Sequence, residues 1–173
     1  MRITVNRAPV LTLWAAIVAE RMGFDEEAAL TLGKSLAGHN AQTKGQQLGI
    51  YHPREHSDSA NAEPEPEGDQ VFVNLMGRSL PALRTPRGIR AAERGRAADP
   101  ESVRRYLRGK FGEELAPVDQ AMRRLAAAFP PDRLDVEAYS LYERFRPSVK
   151  KGKRGWGAAG ELDLDKIVGL RPK

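Results

Sequence analysis

A mainly α-helical fold with one small antiparallel β-hairpin is what this sequence predicts, and three observations predict it. Apolar residues recur at spacings of 3 and 4 through several segments, each bounded by Gly, Pro or an Asp cap. Only one run, VFVNLM at 71–76, is dense in β-formers and followed by a turn pair, Gly77-Arg78. The 173 residues include 40% hydrophobic ones, enough to bury the core of one ordinary domain or two small ones.

The first helix is expected from Ala8 to Met22, with Pro9 in its first turn, where its missing N–H is not needed. Its start, APVLTLWAAIVA, follows Arg2 and Arg7 and has the look of a signal-peptide core. Helical spacing of Val10, Leu13, Trp14, Ile17 and Val18, continued through Glu20 and Arg21, argues for an ordinary helix instead. Twelve apolar residues also fall short of the roughly 20 that a bilayer requires. Gly23 ends this helix, and Asp25 caps a second that runs to Ala37 with Glu26 and Glu27 in its first turn. Gly38 is expected to break it, leaving HNAQTKGQQLGIY to supply a third helix to about Leu48, weakened by Gly45.

From Pro53 to Gln70 the chain alternates Glu and Pro with no apolar periodicity, the composition of a flexible acidic loop. Strands over Val71 to Met76 and Ser79 to Arg84 form the hairpin, the second placed at an edge because Pro81 has no N–H to donate. After an Arg-rich connection, Asp99-Pro100 starts a helix through Lys110. Two more helices are expected over Glu113 to Phe129 and Leu134 to Phe145, divided by Pro130-Pro131. A basic Gly-rich tail then leads to a short helix from Asp163. The expected organisation is a three-helix unit at 1–52, the loop at 53–70, a hairpin with C-terminal helices at 71–147, and the tail at 148–173.

Three helices followed by a hairpin, over residues 8 to 84, resemble the winged helix-turn-helix. Ala19, Gly23, Ala29 and Leu32 match that family's pattern of a small residue, a turn Gly and two apolar positions. The resemblance implies a DNA-binding regulator. The sub-pattern makes the Asp25 helix the reader, yet Asp25, Glu26 and Glu27 would be repelled by phosphate. The acidic loop between third helix and hairpin is a further departure from the family.

Charge is segregated. Lys and Arg against Asp and Glu number 10 and 3 over residues 71–112 and 7 and 3 from 148 onward, whereas residues 51–70 hold 1 and 6. Such blocks point to an anionic partner, with plain solvated surface as the alternative. The amide-rich stretch carries the side-chain types that pair with base edges, so Asn40, Gln42, Lys44 and Gln47 are the candidate base contacts. Arg84, Arg87, Arg90, Arg94 and Arg96, with Lys151 and Arg154 of the tail, are the candidate phosphate contacts.

Three catalytic look-alikes are weak. His52, Glu55 and His56 have the H-x-x-E-H spacing of a zinc peptidase, but Pro53 breaks the helix that such chemistry needs. Gly33-Lys34-Ser35 echoes a P-loop without the preceding strand, and the match from Gly155 to Gly160 to G-x-G-x-x-G has only 13 residues after it. With no cysteine, thiolate chemistry and disulfides are excluded and a reducing cytoplasm is the expected home. The expectation is a non-enzymatic nucleic-acid-binding protein of bacterial type with no cofactor or metal. Its partner would be double-stranded DNA rather than a membrane, and a homodimer is compatible. The competing readings are a protein-interaction or oligomerisation module and, third, a zinc-dependent hydrolase.

Overall fold

The computed structural model describes residues 2–47, 69–93, 95–148 and 159–170, with 40–47 described as helix backbone only. In chain order the elements are β1 (Arg2–Asn6), α1 (Arg7–Arg21), α2 (Glu26–Gln47), β2 (Asp69–Leu75), β3 (Arg78–Thr85), β4 (Gly88–Glu93) and β5 (Arg96–Ala97). There follow α3 (Pro100–Phe111), a 3-10 turn (Gly112–Glu114), α4 (Leu115–Ala127), α5 (Pro131–Phe145), β6 (Ala159–Asp163) and α6 (Leu164–Gly169).

Helix α1 is the axis of the molecule. Every residue from Pro9 to Ala19 is buried, so this helix is apolar around its whole circumference because neighbours cover all of it. The stretch that looked like a leader core is therefore the centre of the fold, and no described helix is long and apolar enough to cross a membrane. Trp14 anchors the far side: its indole Nε1 donates to the Ala138 carbonyl at 2.9 Å, and its ring meets Phe145 edge-on at 5.3 Å. A turn at Gly23, with φ of +111°, sends α2 back antiparallel against α1. There Gly33 sits so close that a Cβ would stand 2.5 Å from the Thr12 carbonyl oxygen and 2.8 Å from the Ala16 nitrogen. The glycine of the P-loop look-alike is thus a helix-packing residue.

The sheets overturn the expected fold class. Helix accounts for 61% of the structure, and the strands make two antiparallel sheets rather than one hairpin. One sheet has four strands in the order β2-β3-β4-β5; the other pairs β1 with β6. The expected second and third helices are one, since α2 continues through Gly38 and Gly45. Among the described residues two helices are followed by four strands, in place of the winged helix-turn-helix order of three helices and a hairpin. The Arg-rich connection is β4 and β5, and Asp69 and Gln70 of the expected loop belong to β2. Pro81 tolerates an internal strand because β4 pairs only with Ala82–Thr85, leaving Pro81 a partner, Phe72, on one side alone. The rest of the acidic loop lies outside the described residues.

The C-terminal helices follow the expected pattern. Asp99 caps α3 by accepting from the Glu101 N–H at 3.0 Å. Val118, Met122 and Leu125 form the buried stripe of α4, which Phe129 continues just past the helix end. Residues of both halves, from Val5 to Ile167, join one buried cluster. Thr31 ties sheet to helix: its buried hydroxyl donates to the Ala28 carbonyl and accepts from the Ala91 N–H at 3.0 Å.

Candidate nucleic-acid interface

Basic residues gather at two places along α2, and they differ in what surrounds them. At the start, Arg90 of β4 is 4% exposed. Its guanidinium donates to the Glu27 carboxylate at 3.1 Å and to the carbonyls of Ile89 and Arg87. Next to it Arg104 bridges Glu26 at 3.2 Å and also pairs with Glu101. Arg87 is exposed at the β3–β4 turn and, with Arg90, lines a polar depression of about 440 Å³ that also contains Glu27, Asp99 and Glu101. Three carboxylates against two guanidiniums leave this depression unfavourable for phosphate. The acids at the start of α2, which disqualified it as a reading helix, have a structural purpose: Asp25 caps it through the Ala28 N–H, and Glu26 and Glu27 hold arginines.

Further along α2 the balance reverses. Lys34 places its ammonium 3.7 Å from the ring centre of Tyr106 on α3, and Lys110, one helical turn beyond Tyr106, stands 6.0 Å from the same ring. Among the described residues neither lysine makes an ion pair. Burial pushes the Lys34 ammonium below its ordinary 10.5; Glu93 counteracts this and the charge of Lys110 adds to it. Burial alone raises the Tyr106 phenol. Arg96, exposed on β5, is the cross-strand partner of Glu93 and so belongs to this end.

The candidate residues therefore do not share one face. Arg84 is exposed on β3, opposite Asp69 and Ile89. With Arg87 and Arg90 it lies toward the start of α2, whereas Asn40 is 13 residues beyond Glu27, about 20 Å along the axis. Asn40, Gln42, Lys44 and Gln47 lie on the last three turns of α2, on the Lys34 side of the helix's length, with their side chains outside the description. Arg94, Lys151, Arg154 and the His52–His56 motif lie outside the described residues. No group of three or more His, Cys, Asp or Glu among the described residues is placed to hold a metal.

Sequence reading missed Lys34, Tyr106 and Lys110. The signal available was the four-residue spacing of Tyr106 and Lys110 on one helix face, while the partnership with Lys34 required the docking of α3 on α2. Compared with protein-family models, curated proteins and solved structures, the chain finds no match.

Proposed function

We propose that the protein binds nucleic acid, without catalysing a reaction, through the surface where the middle of α2 around Lys34, the end of α3 and the end of β4 meet. One observation carries the reading: Lys34 and Lys110 converge on a single tyrosine ring, without ion pairs among the described residues. Two ammonium groups held together repel each other, and a polyanion relieves that cost by displacing counterions. Beyond them α2 continues into Asn40, Gln42, Lys44 and Gln47, side-chain types suited to base edges in the major groove of double-stranded DNA. The test is fluorescence anisotropy with labelled duplex at several salt concentrations. A steep loss of affinity with salt, reduced by Lys34→Gln with Lys110→Gln, supports the reading; weak binding that ignores salt overturns it.

A second reading, self-association, is favoured by a separate observation. Phe72 on β2 and Val136 on α5 are 75% and 82% exposed, and the same two regions are joined where Asp135 accepts the Met76 N–H at 2.7 Å. Light scattering of the wild type and of Phe72→Ser tests it: a dimer that the substitution dissociates is the supporting result.

A further inference from the structure

A small cavity of about 170 Å³ opens where the two-stranded sheet meets the end of α5. Its walls come from four segments: Arg2 of β1, Arg146 and Ser148 after α5, Glu161 and Asp163 of β6, and Lys166 of α6. The sheet register fixes these positions, because Arg2 pairs with Asp163 and Ser148 bridges Glu161 through bonds of 2.9 and 3.0 Å. Gly160 makes the approach possible, since a Cβ there would meet the Ser148 carbonyl oxygen at 2.8 Å.

The charges are uneven in a specific way. Asp163 is committed, one oxygen accepting the Asp165 N–H at 3.0 Å and the other lying 4.0 Å from Arg2. Arg146 is half-buried and has no side-chain partner among the described residues. Behind it Arg7 spends its Nε on the Pro147 carbonyl at 3.0 Å. Burial, and then the neighbouring charge of Arg146, hold the Arg7 guanidinium below its ordinary 12.5. Three cations line the cavity against two carboxylates, and Arg7, behind Arg146, adds a further positive charge nearby. A cavity of this size is too small for a drug-sized ligand, which takes about 300 Å³ or more. It suits a compact dianionic head whose remainder stays outside.

We propose that this cavity is a phosphomonoester site, with Arg146, Arg2 and Lys166 as charge partners and the Ser148 hydroxyl as an additional donor. A phosphomonoester carries close to two negative charges above its second pKa of about 6 and offers three acceptor oxygens. Arg146 supplies a planar fork of donors to them. The group has two sources, a small phosphorylated metabolite or the phosphorylated end of a nucleic-acid strand.

Titration calorimetry of the full chain with inorganic phosphate, at ionic strength held constant with chloride, tests the proposal. Saturable one-site binding is expected, weakened at least about tenfold in Arg146→Gln and a few-fold in Lys166→Gln, an exposed position where folding is not at stake. Glu161→Gln removes the uncommitted acid and should tighten binding. No saturable binding, or an Arg146→Gln or Lys166→Gln protein that binds like the wild type, overturns it, and so does weaker binding by Glu161→Gln. Oligonucleotides with and without a 5′-phosphate identify the source: a preference for the phosphorylated end, abolished in Arg146→Gln, assigns the strand end. Equal binding of the two alongside retained phosphate binding assigns a small molecule. Lys34→Gln with Lys110→Gln should leave phosphate affinity unchanged, which separates this site from the α2 surface.

Discussion

The start of α2 and its middle carry similar residue types to opposite purposes. At its start, Arg90 and Arg104 are enclosed by Glu27, Glu26 and Glu101, and they fasten β4 and α3 to the helix. Two turns further on, Lys34 and Lys110 share a tyrosine ring, and among the described residues no carboxylate is bonded to either. The difference teaches that a basic residue count says little about binding until each cation's partner is known. A guanidinium already spending its donors inside the fold supplies stability, whereas an unpaired ammonium retains its attraction for an outside anion.

The largest test separates two glycines of the same helix. Gly33→Ala would force a methyl into the backbone of α1 and should cost about 2–3 kcal/mol, despite the helix preference of about 1 kcal/mol for Ala. Gly38→Ala meets nothing within 4 Å and should stabilise by about 0.5–1 kcal/mol. Urea unfolding of both variants decides it, and a loss of equal size at the two positions would contradict the packing. Next comes Arg90→Leu, which strips the partner from Glu27 and from two carbonyls. Glu27 is half exposed, so the expected loss is about 2 kcal/mol rather than the full cost of an orphaned buried charge, with duplex affinity unchanged.

Smaller in stability but larger in function, Lys34→Gln and Lys110→Gln should each reduce the slope of log affinity against log salt by about 1. Matched changes at Arg84 should not, which anisotropy reads directly. The finest test is pH. The folded Lys34 amine loses its proton below 10.5 while the unfolded one keeps it, so the unfolded state binds more protons in that interval and stability rises with pH there. Above 10 the raised Tyr106 works the other way, because the unfolded phenol ionises first and stability falls. Below 10, therefore, wild type should gain stability with pH relative to Lys34→Gln, and an identical pH profile for the two would refute the burial of the Lys34 amine.

Much of the helical part was legible. The first helix, the Asp99 cap, the Pro130-Pro131 break and the stripe from Val118 to Phe129 all depend on local spacing and local hydrogen bonds, which sequence displays. The strands beyond β2 and β3 were not. Segment 88–97 contains one β-branched residue, Ile89, among three arginines, and it becomes strand because β3 offers a ladder and Thr31 an acceptor for the Ala91 N–H. Gly38 reads as a break and Gly45 as a weak point because the cost of glycine was weighed alone; continuation of one long helix required the packing of its first half on α1. Of the candidate site, the identity of the basic block was visible, while the burial of Arg90 and the meeting of Lys34 with Lys110 were not.

Sequence by itself determined the helices that carry their own signals, the absence of thiol chemistry, and the segregation of charge along the chain. Tertiary structure alone decided which charges remain available, because pairing joins residues as distant as Glu27 and Arg90. It also decided that the most apolar segment lies at the centre of the fold and that three cations from separate segments surround one small cavity. The physical reason is range. Caps, turns and helical stripes are settled by neighbours a few residues away, whereas the ionic state and exposure of a side chain depend on whichever distant segment the packed core brings against it.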